Sequence, residues 1–189
     1  MARFDCTLPE NGERSTGGAR RARSFRLAGD RRGSVAVEFA FLALPFFLTI
    51  FAIVETSLVF LAELTLDQSV DRVARSVRTG ELQKANMTAE DFRADICQGV
   101  DFLLDCSKLH IDIRVYPDFG NLDQPTPVQN GDIDTAGFGY QLGGPETINA
   151  LRVYYKWPIH TDLMRAYLSD MADGSHLLYS MAAFRTEPY

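Results

Sequence analysis

Between Phe39 and Ala62 the chain reads FAFLALPFFLTIFAIVETSLVFLA, 24 residues in which Glu55 is the single charge. About 20 apolar residues are enough to cross a hydrocarbon core ~30 Å thick, so the run predicts one transmembrane helix. A buried helix of a soluble protein is the competing reading, but soluble helices keep a polar face and this run is apolar all round. Pro45 falls inside it. Proline is tolerated in membrane helices and causes at most a local kink there.

Charge gives the run a direction. The chain of 189 residues has 19 basic and 25 acidic side chains, a mild net −6. Residues 1–33 hold eight arginines and four acids, 8 − 4 = +4, which leaves 11 − 21 = −10 for the rest. A basic arm ending at Arg31 and Arg32, an apolar run and an acidic remainder predict a cytoplasmic amino terminus, with residues from Leu64 onward outside. The same pattern argues against a cytosolic enzyme and a nucleic-acid binder. A removable secretory signal competes, but the run is long for one and no small-x-small cleavage site follows it. The Arg20-Arg21 and Arg31-Arg32 pairs are too common in an arginine-rich arm to specify a twin-arginine signal.

The junction Arg31-Arg32-Gly33-Ser34-Val35-Ala36-Val37-Glu38-Phe39-Ala40 places a carboxylate at the membrane edge. Glu38 either snorkels toward Arg32 or, if the chain is cut after Gly33, pairs with the new Ser34 ammonium of its own or a neighbouring subunit. Arg-Gly-Ser-Val-Ala-Val-Glu-Phe-Ala, then Leu44-Pro45, the apolar run, Ile53-Val54-Glu55 and a helix reaching Ala74-Arg75 resemble the TadE-like family of tight-adherence (Flp) pilus systems. The resemblance spans roughly residues 31–79. It implies a minor pseudopilin: a leader cut by a prepilin peptidase at Gly33-Ser34, and assembly contacts at Glu38 and Phe39. The implied partners are other pilins and minor pseudopilins, and the inner-membrane assembly platform. Glu38-Phe39 departs from the Glu-Tyr pair of the major Flp pilins. The 156 residues left after such a cut (189 − 33) also far exceed a major pilin's length. The alternative within the resemblance is an uncleaved single-pass scaffold. Glu55 has no evident partner, and is either near the outer interface, the preferred reading, or in contact with another helix.

Beyond the membrane run, Leu66, Val70, Val73 and Val77 follow i, i+4, i+7, i+11, and Asp71 and Arg75 are spaced as an i, i+4 pair. Gly80 supplies a stop. A helix over 34–79 would be ~69 Å long at 1.5 Å per residue. Its outer half therefore needs a partner: its own domain, neighbouring subunits in a bundle, or both. The expected organisation is a cytoplasmic basic leader 1–33, a transmembrane and periplasmic helix 34–79, and an exported α+β domain 80–189.

Within that domain Thr88 and Asp91 form a capping box opening a short helix with Phe92, Ile96 and Val100 on one side. Leu109–Tyr116 alternates as a half-buried strand, and Ala150–Trp157 and Leu177–Arg185 are two further strands. Residues 117–145, rich in Gly, Pro, Asn and Asp, predict a long exposed loop, and Asp162–Met171 a helix joining the last two strands. The fold class is α+β, a long amino-terminal helix followed by a small antiparallel sheet, similar to the pilin arrangement.

Cys6 lies in the arm, and Cys97 and Cys106 lie on the outer side, where an oxidising compartment permits a disulfide. Along one unbroken helix nine residues span ~13 Å, whereas a disulfide needs Cα atoms within about 7 Å, so a bridge requires the helix to end between them, near Gly99 or Asp101. CxxC spacing is absent and His110, His160 and His176 are scattered, so no metal or other cofactor is expected. Asp118-Phe119-Gly120 lacks the rest of a kinase signature, and Asn86-Met87-Thr88 is a sequon without context. Tyr154, Tyr155 and Trp157 read as sheet packing before a binding platform. A signal-anchored periplasmic enzyme would need a catalytic cluster that these residues do not form.

Overall fold

The chain's structure, a computed structural model, describes residues 34–122 and 126–188. The basic arm, Cys6 and Gly33 lie outside the described residues. The described residues divide into two units at Leu42 and Ala43.

Helix α1 runs over Ser34–Arg78. It ends where Gly80 takes the left-handed conformation (φ 78°) that a Cβ disfavours. The N–H groups of Thr79 and Gly80 close the last turn on Arg75 and Val77 carbonyls at 3.0 and 3.1 Å. Arg75 and Arg78 complement the negative end of the helix. A short turn of helix α2, Glu81–Lys84, leads to α3, Ala89–Cys97, which the Thr88–Asp91 capping box opens as its spacing requires.

Strands β1 (His110–Tyr116), β4 (Ile148–Pro158) and β5 (Ser175–Arg185) form an antiparallel sheet in the order β1-β4-β5, with Ile113 opposite Leu151 and Tyr155 opposite Leu178. One face, bearing Ile113, Leu151, Val153, Tyr155 and Leu178, packs with α1 and α3 into the hydrophobic core. Leu66, Val70, Val73 and Val77 are fully buried there, as are Phe92, Ile96 and Val100. The helical stripe thus finds its partner in its own domain and is not left to be shared with neighbouring subunits.

Residues 117–145 depart from the expected exposed loop. Asn130 and Gly131, both at positive φ, turn the hairpin of β2 (Val128–Gln129) and β3 (Asp132–Ile133), a job for which Asn-Gly is the favoured pair. Phe138 lies 5.4 Å from Tyr154 and Gly139 donates to buried Asp112 at 2.9 Å, so part of the segment covers the second face of the sheet. Tyr154 is also stacked on Tyr179 at 5.0 Å, and Arg152 lies over the Tyr116 ring and donates to the Leu122 carbonyl at 2.7 Å. Central β4 is therefore buried on both faces, and its aromatic residues are packing residues. Helix α4, Asp162–Leu168, ends three residues earlier than its pattern predicts, because the N–H groups of Asp170 and Met171 turn to the Ser175 carbonyl that starts β5.

Candidate functional site

From Val35 to Val54 the side chains of α1 are solvent-facing on all sides, with Phe39 68%, Phe41 76%, Phe46 60% and Ile53 61% exposed. Burying one such side chain is worth ~1.5–3 kcal/mol, so a surface of this kind calls for a hydrocarbon environment. The helix is long and apolar enough to cross a membrane. Its hydroxyls are bonded within the helix, Thr49 to the Pro45 carbonyl and Ser57 to that of Ile53, at 2.8 and 2.7 Å. Hydroxyl groups surrounded by lipid require such internal partners. Of the residues expected to carry processing and assembly, Ser34 is the first described residue of α1, and Glu38 and Phe39 are exposed on the same helix. Gly33 lies outside the described residues.

At Glu55 the surroundings change. This carboxylate is only 5% exposed. Its Oε1 accepts the backbone N–H groups of His160 and Thr161, at 2.5 and 3.2 Å, and its Oε2 accepts the Thr161 hydroxyl. Thr161 is the N-cap of α4 and in turn accepts the Met164 N–H at 3.4 Å. Glu55 thus completes the cap from outside, placing negative charge at the positive end of a helix. A buried carboxylate is tolerable when several donors replace its water, and here three do. The partner that local spacing could not reveal comes from a segment about a hundred residues later. From Glu55 outward, Val59, Ala62, Leu66, Val70, Val73 and Val77 are covered by the domain.

Cys97 ends α3 and Cys106 opens a 3-10 turn, and the two form a disulfide with Cα atoms 5.7 Å apart. The helix stops between them, which is what makes the bridge geometrically possible. A cleft lined by His110, Tyr155, Lys156, Arg165 and Asp173 contains charges already engaged. Lys156 bridges Asp132 and Asp173 at 2.9 and 2.8 Å, and chiefly through this contact holds the Asp173 carboxyl at about 2. Arg165 pairs with Asp162 at 3.3 Å, and burial lowers the His110 pKa. The Ser175 hydroxyl, also in the cleft lining, donates to Asp173 at 2.5 Å. Among the described residues no group of three or more His, Cys, Asp or Glu is placed to hold a metal ion.

These features define a small α+β domain built on the outer half of a helix whose inner half is a membrane anchor. Residues 33–75 match the family described as TadE-like protein, so this part of the chain, most of α1, is similar to that family. The match ends just inside the carboxy-terminal end of α1 and includes none of the sheet. No curated protein and no solved structure matches the chain.

Proposed function

We propose that the protein is a minor pseudopilin of a tight-adherence pilus machine, acting in initiation, assembly or the tip complex. Residues 1–33 are its cytoplasmic leader, a prepilin peptidase cuts between Gly33 and Ser34, and residues 80–189 form the periplasmic domain. The observation that supports this reading is the TadE-like match itself, which begins at residue 33 and takes in the Gly33-Ser34 bond proposed for cleavage. Cleavage would leave Glu38 as the fifth residue, four residues from a new ammonium at Ser34. Glu38 is exposed and so available to a neighbouring pilin. Charge pairing in a low-dielectric setting would offset the cost of holding that carboxylate at the membrane edge. The protein makes and breaks no bond in this reading. It is a peptidase substrate and a structural component that passes from the inner-membrane assembly platform to its pilin partners.

Amino-terminal sequencing and intact-mass measurement of the membrane-extracted chain, with and without the prepilin peptidase, test this. A Ser34 terminus that depends on the peptidase is expected. Retention of residues 1–33 in both samples rules the processing out and leaves an uncleaved scaffold.

A further inference from the structure

The β4–β5 connection carries an apolar surface that faces away from the core. In α4, Met164 and Leu168 pack against the core, whereas Leu163 is 48% and Tyr167 78% exposed. Spaced i, i+4, these two residues lie side by side on the outer face of the helix. The Tyr167 hydroxyl makes no hydrogen bond among the described residues.

The position of α4 along α1 says what this surface meets. Its N-cap is bonded to Glu55, whereas at the other end of the sheet the Glu187 N–H, just past β5, is bonded to the Arg78 carbonyl at 2.9 Å. Strands β4 and β5 therefore run between the levels of Glu55 and Arg78, and the connection holding α4 is at the Glu55 end. Counted from Glu38 at the inner edge, the 20 residues 39–58 are by length one full crossing of a ~30 Å hydrocarbon core, which ends within a turn of Glu55. Glu55 then stands at the outer edge of that core and α4, only seven residues long, stays close to its level.

We infer that α4 is a second membrane contact, lying in the outer lipid interface with Leu163 and Tyr167 inserted among the upper acyl chains. Tyrosine suits this depth, since its ring is apolar and its hydroxyl reaches the headgroups. Asp162, Asp170 and Asp173 outnumber Arg165 between 159 and 175, so the contact is apolar in origin and does not depend on anionic lipid. It makes the connection a foot that holds the sheet domain against the bilayer, with the Glu55 cap setting its height. The inference rests on α1 being the membrane anchor.

The full chain, reconstituted in phosphatidylcholine vesicles containing lipid brominated high on the acyl chains, provides the test. Trp157 is the single tryptophan, so Tyr167→Trp and Phe47→Trp are each placed in a Trp157→Phe background. Expected is loss of emission by bromine quenching and a blue-shifted maximum for both. Quenching of Phe47→Trp with water-like, unquenched emission from Tyr167→Trp overturns the foot while leaving the anchor intact. Absence of quenching at both overturns the anchor, and the foot with it. Because Trp157 is a core residue, benzoylphenylalanine in place of Tyr167 in the otherwise unaltered chain gives an independent reading. Photo-crosslinking to lipid is expected, and its absence overturns the inference.

Discussion

The two halves of α1 obey different solvents. From Val35 to Val54 the apolar side chains surround the helix and stay uncovered, whereas from Glu55 to Arg78 a stripe of them from Val59 to Val77 is buried, Phe60, Leu61 and Leu64 stay exposed, and farther along Asp67, Asp71 and Arg72 occupy the other faces. Hydrophobicity alone does not mark the change, since Leu58, Phe60 and Leu61 lie beyond Glu55 and are as apolar as their predecessors. What marks it is a buried carboxylate whose three donors come from His160 and Thr161, at the entry to α4. The apolar run of 24 residues continues past that carboxylate. Its last turns also serve as the first part of the domain's core, through Val59 and Ala62.

The sharpest way to break this contrast is a matched pair of truncations. Leu66→Ala removes a fully buried side chain from the core and should cost about 2–5 kcal/mol. Phe46→Ala, on the exposed inner half, should leave unfolding of the sheet domain unchanged. Denaturant titration in detergent micelles, followed by Trp157 fluorescence, reads both. Equal effects at the two positions would remove the distinction between the halves.

The disulfide tests how far the domain relies on a covalent support apart from the helix. Cys97 and Cys106 are nine residues apart in sequence, and opening a loop of that size should cost about 2–3 kcal/mol. Cys97→Ala with Cys106→Ala should lower the denaturation midpoint accordingly. The same midpoint in the presence and absence of reductant would show that the bridge contributes nothing.

Glu55→Gln goes to the boundary itself. The amide keeps the size and one acceptor oxygen, yet loses the charge and cannot accept on both sides, which leaves a donor of the α4 cap poorly served. A cost of about 1–3 kcal/mol is expected, with protection of the Thr161 and Met164 amides from hydrogen exchange lost first. Unchanged exchange there would mean that Glu55 does not hold α4.

Much of this was legible from spacing. The Leu66–Val77 stripe, the Thr88 capping box, three strands and the Gly80 stop are local patterns, and the structure places each where its pattern points. The partner of Glu55 was not legible, because it arises from tertiary closure over a hundred residues that no period records. The cover on the second sheet face was missed for a different reason: glycine and proline content signals an irregular path but not whether that path crosses a sheet. The Asn130-Gly131 hairpin was readable as a turn signal, and the density of breakers around it obscured the two short strands. Of the candidate site, Glu38 and Phe39 were visible as sequence positions, while the foot at Leu163 and Tyr167 emerges only once α4 is seen against Glu55.

The smallest expected effect concerns the polar ties at the Glu55 end of the domain. Lys156 links Asp132 in the β2–β3 hairpin to Asp173 in the turn before β5. With its folded pKa held at about 2 against an ordinary 3.8, Asp173 favours the folded state while ionised in both forms. That contribution is complete above the unfolded value and is lost as pH falls from about 4 through 2. Because the Asp173 side chain is half exposed, screening by water confines it to ~0.2–1 kcal/mol. Lys156→Met should therefore flatten the acid limb of the stability profile slightly, leaving the difference between the halves of α1 untouched. A profile below pH 4 that is identical with and without Lys156 would show that packing alone holds this end of the sheet.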